Sequence, residues 1–232
     1  MNRPYIICHM VMSIDGKVTG DYLFRPECKK ATEIYYEINR KIKSNGFICG
    51  RVTMEGSFTN GWYPDLVRYK PVDDKNDFIT DDLSGFYAVA FDPKGKLSWK
   101  SSRIVDEDPG YGNAQIIEVV TKQADPRYLG YLKEVGIPYI IAGEDEIDTE
   151  LALSKLKSLG ADTILLEGGS IVNGYFERAD LIDELSLVVA PVIADENSKP
   201  LFMDSDIADY ELIETKQYDN SVVWLNYRRK NR

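Results

Sequence analysis

The most restrictive feature of this sequence is a nearly unbroken apolar run close to its start, Tyr5–Met12. A strand that buries one face alternates apolar and polar residues, whereas a continuous apolar run indicates burial on both faces. Similar short runs rich in β-branched residues recur along the chain and alternate with segments of helical periodicity. This alternation predicts an α/β fold with a mostly parallel central sheet flanked by helices.

The first predicted helix covers Glu27–Ser44, because apolar residues recur there at helical spacing, and Asn45-Gly46 is expected to end it. Residues 57–85 contain prolines and paired aspartates and predict irregular structure. The same patterns predict further strands at Phe47–Cys49, Tyr87–Phe91, Ile116–Val120, Tyr139–Ala142, Thr163–Leu166 and Leu185–Ala190, and helices at Asp125–Val135, at Thr149–Leu159 and from near Gly169.

The C-terminal part predicts a different strand arrangement. Glu211–Tyr218 and Val222–Arg229 are expected to form an antiparallel pair, joined at Asp219-Asn220. No repeat, low-complexity segment or long linker interrupts the 232 residues, so the expectation is a single domain, 1–232.

Charge and composition exclude several function classes. The net charge of −10 argues against nucleic-acid binding, which depends on lysine and arginine. One histidine, His9, and three cysteines without paired spacing fit neither a zinc site nor a histidine-based triad, so no metal is expected and the thiols are interpreted as buried and free. The first apolar run is too short to span a membrane and lacks a cleavage signal, which predicts a cytoplasmic protein.

Common nucleotide-binding and hydrolase motifs are absent. The chain has no G-x-G-x-x-G after its first strand, no G-x-x-x-x-G-K-[ST] and no G-x-S-x-G. A dinucleotide would therefore need phosphate-binding elements of another kind.

The first segment with chemical potential is Ser13–Lys17, directly after the first strand. Ligands of parallel sheets bind beyond the carboxyl ends of the strands, where this segment is expected to lie. Asp15 and Lys17 offer an acceptor and a cation close together, and Gly16 allows a ligand to approach the backbone. An ordinary polar turn explains the same residues.

Two further segments follow predicted strands and favour anions. Gly50-Arg51 opens a predicted helix, where backbone N–H groups, the helix dipole and a guanidinium can hold a phosphate. Glu167-Gly168-Gly169-Ser170 places two adjacent glycines and a hydroxyl at a helix start, which suits a diphosphate lying against bare backbone. The alternatives are a helix start with a solvated arginine and a tight turn that needs positive φ.

Together, S-I-D-G-K, G-R-x-T, L-L-E-G-G-S and the later D-L-I-D-E-L resemble the reductase domain of the bifunctional riboflavin-biosynthesis deaminase-reductase. The resemblance covers about residues 5–228, and G-R-V-T-M-E also resembles a stretch of dihydrofolate reductase, which shares that fold. It implies a dihydrofolate-reductase-like fold, a homodimer, and NADPH-dependent reduction of the ribosyl group of a phosphoribosylamino-pyrimidine.

The resemblance also implies roles for individual residues. Asp15, Lys17 and Glu167 are the candidate catalytic residues, with a buried structural carboxylate as the alternative for Glu167, and Ser13 joins Asp15 and Lys17 as a substrate-binding residue. In a loop that resembles the family's 2′-phosphate loop, Lys94 or Lys96 would select NADPH, with a solvated basic turn as the alternative, and Thr121 would line the adenine side. The complete set of implied cofactor-binding residues is Gly50, Arg51, Thr53, Lys94, Thr121, Gly168, Gly169 and Ser170.

The chain departs from the family at two points. Trp62-Tyr63-Pro64-Asp65 stands where the family has a D-D-P motif that helps to bind the substrate, and the zinc ligands of the deaminase half are missing. Two alternatives therefore stay open. One is a pterin or dihydrofolate reductase, with Glu27 as the proton donor, and the other is a non-catalytic nucleotide- or sugar-phosphate-binding module of the same fold.

Overall fold

The computed structural model describes residues 2–59 and 61–230, which form two compact units. The first unit contains Ser44–Ile164 together with the N-terminal residues through Pro4, and the second contains Tyr5–Lys43 and Leu165–Arg232. The boundary falls within one strand, β6 (Thr163–Leu166). The prediction of a single domain stays a prediction.

The first unit is built on parallel strands. These are β2 (Gly46–Gly50), β3 (Tyr87–Phe91), β4 (Gln115–Val120) and β5 (Tyr139–Ile141), paired in the order β5-β4-β3-β2 and followed by the start of β6. The register aligns Gly50 with Phe91, Phe91 with Val119 and Val120 with Ile141. The carboxyl ends of these strands therefore meet at one edge, which presents the loops that follow them.

The helices of the first unit begin and end at residues suited to those positions. The short α2 (Arg51–Met54) follows β2 and continues as a π-helical turn, Glu55–Thr59. The α3 helix (Pro126–Val135) is capped by the Asp125 carboxylate and ended by Gly136, whose φ is 78°. Asp148 caps α4 (Thr149–Ser158) in the same way.

The second unit contains the C-terminal strands, which pair in antiparallel orientation. After the end of β6 the order is β1 (Tyr5–Ser13), β7 (Glu184–Ala190), β9 (Val223–Arg229) and β8 (Tyr210–Gln217). The β1 and β7 strands are parallel, with Ser13 opposite Ala190, whereas β7–β9 and β9–β8 are antiparallel. Two helices belong to this unit, α1 (Lys29–Lys41) and α5 (Ser170–Arg178).

The predicted apolar stripe of α1 forms the core of the second unit. Ala31, Ile34 and Ile38 are buried and pack with Val188 of β7 and Val222 beside β9. His9 of β1 is fully buried and stacks on Tyr35, with ring centroids 4.3 Å apart. The three cysteines are buried and free, as predicted, and burial raises the pKa of the Cys8 thiol.

The fold class predicted from the sequence is confirmed: an α/β chain with mostly parallel strands and antiparallel C-terminal strands. The predicted end of the first helix was wrong. The α1 helix ends at Lys41, and Gly46 instead opens β2, where a Cβ atom would lie 1.9 Å from the carbonyl oxygen of Tyr87. Within residues 2–59 and 61–230, no helix is long and apolar enough to cross a membrane.

Candidate functional site

The Ser13–Lys17 segment forms a closed turn at the end of β1. Ser13 is buried, its hydroxyl donates to the Asp15 carboxylate (2.6 Å) and accepts from the Lys17 backbone N–H (3.0 Å), and its own N–H donates to the Lys17 carbonyl (2.9 Å). Gly16 has a φ of 74°, which allows the tight reversal. The buried Ser13 therefore fixes the conformation of the turn that carries Asp15 and Lys17.

Asp15 is held as an ionised carboxylate on the surface. The Ser13 hydroxyl lowers the pKa of Asp15, and so does the backbone N–H of Ala194, which donates to Asp15 Oδ1 at 3.0 Å. Within the described parts of the chain, the Lys17 ammonium forms no ion pair. The turn thus offers a fixed anionic acceptor and, next to it, a cation whose charge also acts on the Asp15 carboxylate.

The Glu167–Ser170 segment joins β6 to α5 in the same unit. Glu167 is buried, and its Oε1 accepts a hydrogen bond from Asn39 Nδ2 at 2.7 Å. Gly168 has a φ of 93°, and a Cβ atom there would lie 3.2 Å from Met10 Cε. The Gly168-Gly169 peptide bond is cis.

The first turn of α5 contains polar atoms that the rest of the described chain does not satisfy. Gly169 is the N-cap residue and provides no side-chain cap. Ser170 Oγ is buried without a hydrogen-bond partner among residues 2–59 and 61–230. Free backbone N–H groups and an unpaired hydroxyl at a helix N-terminus are suited to a phosphate oxygen.

The remaining implied cofactor residues lie in the first unit, at the carboxyl edge of its strands. Gly50 ends β2, and the Arg51 guanidinium is 2.5 Å from the Glu55 carboxylate one helical turn later. Thr53 is half-buried on the same short helix. Arg51 therefore forms an ion pair with a carboxylate and is not a freely solvated arginine.

The loop after β3 presents Lys94 at an ordered tip. The buried Asp92 carboxylate accepts hydrogen bonds from the backbone N–H groups of Lys96 and Leu97, the latter at 2.7 Å. Thr121 is also buried, and its N–H (3.0 Å) and hydroxyl (2.8 Å) both donate to the Pro93 carbonyl. The two side chains fix the loop from opposite ends, and Lys94 itself is exposed.

Sequence reasoning missed the acidic residues beneath this loop. Burial raises the pKa of Asp92, and burial followed by the charge of Asp92 raises the pKa of Glu118 well above its ordinary value. Glu118 Oε1 accepts a hydrogen bond from Trp99 Nε1. A charged residue within the apolar strand Gln115–Val120 was the available signal, because a carboxyl group in a fully buried strand needs a partner.

Glu27, the residue on which the pterin alternative depends, lies in an exposed position. Its carboxylate is 3.3 Å from Arg25 Nε, and its own backbone N–H and the Arg25 charge lower the pKa of Glu27. A carboxyl group that protonates a pterin needs a raised pKa. This geometry does not favour the alternative.

Comparison with known proteins gives the family. Residues 4–224 match the RibD C-terminal domain. The chain belongs to the RibD C-terminal domain family. Members of this family are NAD(P)H-dependent reductases that act on small molecules.

One curated relative aligns with most of this RibD C-terminal domain chain. It is a 2,5-diamino-6-ribosylamino-4(3H)-pyrimidinone 5′-phosphate reductase of Aquifex aeolicus, which is 26% identical over 218 residues, covering 89% of this chain and 85% of the relative.

Two solved structures share the fold. A pyrimidine reductase-like protein of Corynebacterium diphtheriae has a TM-score of 0.68 at 17% identity, with 100% of this chain and 94% of that chain covered. The riboflavin biosynthesis reductase Rib7 of Saccharomyces cerevisiae has a TM-score of 0.64 at 17% identity, with 99% and 91% covered. The family and fold predicted from S-I-D-G-K, G-R-x-T and L-L-E-G-G-S are thereby confirmed.

Proposed function

We propose that this chain is an NADPH-dependent reductase that converts the ribosyl group of a phosphoribosylamino-pyrimidine into a ribityl chain. The observation that supports this most directly is the Ser13–Lys17 turn, which holds a carboxylate and an ammonium next to each other at a strand end. The substrate class is that named for the Aquifex aeolicus relative.

Both units contain groups that suit a phosphate. In the second unit, Gly168, Gly169 and Ser170 would hold a phosphate at the α5 N-terminus, where the Ser170 hydroxyl gains the partner that the described chain lacks. In the first unit, Lys94 would hold the 2′-phosphate, and Gly50, Arg51, Thr53 and Thr121 would contribute to the cofactor-binding edge. When bound, NADPH supplies the hydride.

The Ser13–Lys17 turn would deliver protons to the substrate and bind its sugar. Opening of the ribosylamine ring moves a proton from the exocyclic nitrogen to the ring oxygen and leaves a C=N bond at C1′. Hydride addition at C1′ then requires one proton on that nitrogen. Lys17 is suited to deliver these protons, and Asp15, held ionised by Ser13 and Ala194, to accept hydrogen bonds from the sugar hydroxyls. The buried Glu167 would orient the site.

The experiment tests a panel of substrates and follows the oxidation of NADPH by its loss of absorbance. We expect oxidation with 2,5-diamino-6-ribosylamino-4(3H)-pyrimidinone 5′-phosphate and not with dihydrofolate. Asp15→Asn should lower kcat by about 10²-fold or more, whereas the matched control Asp206→Asn, at an exposed position of the same unit, should not. Oxidation with dihydrofolate alone would favour the pterin alternative, and NADPH binding without oxidation of any substrate would favour the binding module.

We also propose that the chain is a homodimer that pairs through β8. This strand is the last in its sheet order and is largely exposed, including Leu212 and Ile213. An antiparallel pairing of two copies centred between Ile213 and Glu214 would place Glu211 opposite Lys216 at both ends. Sedimentation velocity should give a dimer for the wild type and a monomer for Leu212→Pro, because proline removes a strand donor. A monomeric wild type would exclude this arrangement.

A further inference from the structure

A five-residue segment after β7, Lys199–Met203, lies between the two functional elements of the second unit, and we call it the connector. On one side the connector runs alongside the residues that come after Asp15 in the chain. The Val18 N–H donates to the Lys199 carbonyl (2.9 Å), and the Lys199 N–H donates to the Thr19 hydroxyl (2.8 Å). The backbones of Lys17 and Pro200 form an isolated antiparallel β-bridge.

On its other side, the connector packs on the first turns of α5. The Met203 N–H donates to the Ser170 carbonyl at 3.0 Å. Asn173, which is fully buried, donates from Nδ2 to the Leu201 carbonyl at 3.1 Å. The two chains approach so closely that a Cβ atom at Gly174 would lie 1.8 Å from the Met203 carbonyl oxygen.

The backbone of one residue joins both sides. The Leu201 N–H donates to the Gly16 carbonyl at 2.9 Å, and its carbonyl accepts from Asn173. Among the hydrogen bonds of the described residues, Leu201 is the connector residue that bonds directly to both the Ser13–Lys17 turn and α5. Loss of the Asn173 bond would leave a buried carbonyl unsatisfied, and the bond from the Met203 N–H to the Ser170 carbonyl would remain as the backbone link between the connector and α5.

We propose that Asn173 is a positioning residue for catalysis, which acts through the connector to hold the Ser13–Lys17 turn at a fixed place relative to the N-terminus of α5. The inference rests on the proposed function, in which the turn holds the sugar and α5 holds a cofactor phosphate. Hydride transfer requires reacting atoms about 3–3.5 Å apart, and a misplacement of about 1 Å can cost about 10²-fold in rate. A connector that sets this separation affects turnover without contacting a ligand.

The first test measures the coupling without any ligand. Asn173→Leu keeps the number and branching of the side-chain heavy atoms and removes the donor. Amide hydrogen exchange, measured by mass spectrometry, should become at least fivefold faster in the peptide that covers Ser13–Val18, although that peptide lies more than 150 residues away in sequence. The control Tyr175→Ala, at an exposed α5 position, should leave that exchange unchanged.

A second variant protects the test against misfolding. If Asn173→Leu does not fold, Gly174→Ala displaces the connector by steric contact with Met203 and should give the same fivefold acceleration. Unchanged exchange in the Ser13–Val18 peptide of either folded variant overturns the proposal.

The kinetic test uses the opposite end of the connector. Thr19→Val is isosteric but removes the acceptor for the Lys199 N–H, whereas Thr19→Ser retains it. We expect Asn173→Leu and Thr19→Val to lower kcat at least tenfold with the KM for NADPH within twofold of wild type, and Thr19→Ser to restore kcat. A rise in the KM for NADPH with unchanged kcat contradicts a positioning role. If the wild type oxidises no substrate but Asn173→Leu still accelerates exchange in the Ser13–Val18 peptide, the proposed function is refuted and the mechanical coupling stands.

Discussion

His9 gives the most quantitative prediction, because it is fully buried and burial shifts its pKa strongly. The Trp224 indole N–H donates to Ser186 Oγ (2.9 Å), and Ser186 Oγ lies 3.0 Å from His9 Nδ1. His9 Nδ1 also lies 3.2 Å from the Ser186 carbonyl, and His9 Nε2 lies 2.9 Å from the Tyr35 carbonyl; both carbonyls can only accept. Burial outweighs these two contacts and keeps the imidazole neutral.

The magnitude follows from the pKa of this buried ring. Burial lowers the pKa of His9 from 6.5 to about 4. The folded state therefore resists protonation that the unfolded state accepts, so the stability contribution is complete above pH 6.5 and is lost as the pH falls from 6.5 to about 4. Between pH 7 and pH 5 this amounts to about 2 kcal/mol, from about 1.4 kcal/mol per pKa unit.

The assay is urea unfolding of the wild type and of His9→Gln at pH 7 and pH 5, monitored by tryptophan fluorescence. All other titrating groups are common to both proteins, so their contributions cancel in the difference. With a slope of about 3 kcal/mol per M for a chain of this size, the wild-type midpoint should fall by about 0.6 M more than that of the variant. Equal falls for the two proteins would show that His9 is not the group responsible.

Arg229→Met should cost about 3–5 kcal/mol in the free energy of unfolding, because it leaves the buried Glu177 carboxylate without its ion pair, which is 2.8 Å long. Lys94→Ala should raise the Kd for NADPH about tenfold and leave that for NADH within twofold, because only NADPH has a 2′-phosphate. Gly168→Ala should weaken NADPH binding or unfolding stability by about 1–3 kcal/mol, because an alanine is strained at a φ of 93°.

Each of these predictions has a contrary outcome. Arg228→Met, at an exposed ion pair, is the control for Arg229 and should cost much less, so equal losses in urea unfolding would contradict the buried pair. Parallel changes in the fluorescence-titrated affinities for NADPH and NADH would remove Lys94 from the 2′-phosphate. Wild-type binding and stability in Gly168→Ala would remove any need for glycine there.

The strands were the most predictable part of the fold. Tyr87–Phe91 and Thr163–Leu166 agree with the sequence-based prediction at both ends, because each is a short, mostly buried run that is followed directly by an acidic residue. The end of α1 was not predictable from Asn45-Gly46. That pair resembles a helix terminus locally, but the Asn45 N–H and carbonyl pair with Thr163 and Tyr87, and this long-range pairing decides the structure.

The candidate site could be proposed from the sequence to the extent that its chemistry lies in local sequence. Asp15, Gly168 and Ser170 come after strands, and their residue type and position made them candidates, which they stay. Asn173 and the connector could not, because Asn173 is an ordinary helical residue in sequence and its partner, Leu201, contributes only backbone atoms. Groups that act through their backbone have no compositional signal.

The same distinction bears on how, under the proposed function, a chain of net charge −10 would bind a dinucleotide phosphate. Arg51 is partly neutralised by Glu55 at 2.5 Å and so provides less than a full positive charge. The first turn of α5 instead contributes backbone dipoles and the Ser170 hydroxyl, which need no net charge and are weakened little by the global acidic field. Selectivity for NADPH would then depend on Lys94, which has no ion-pair partner among residues 2–59 and 61–230. An acidic surface with exposed lysines, Lys94 and Lys96, concentrated in one ordered loop favours a ligand with one additional phosphate at that place, and disfavours polyanions that would contact the whole surface.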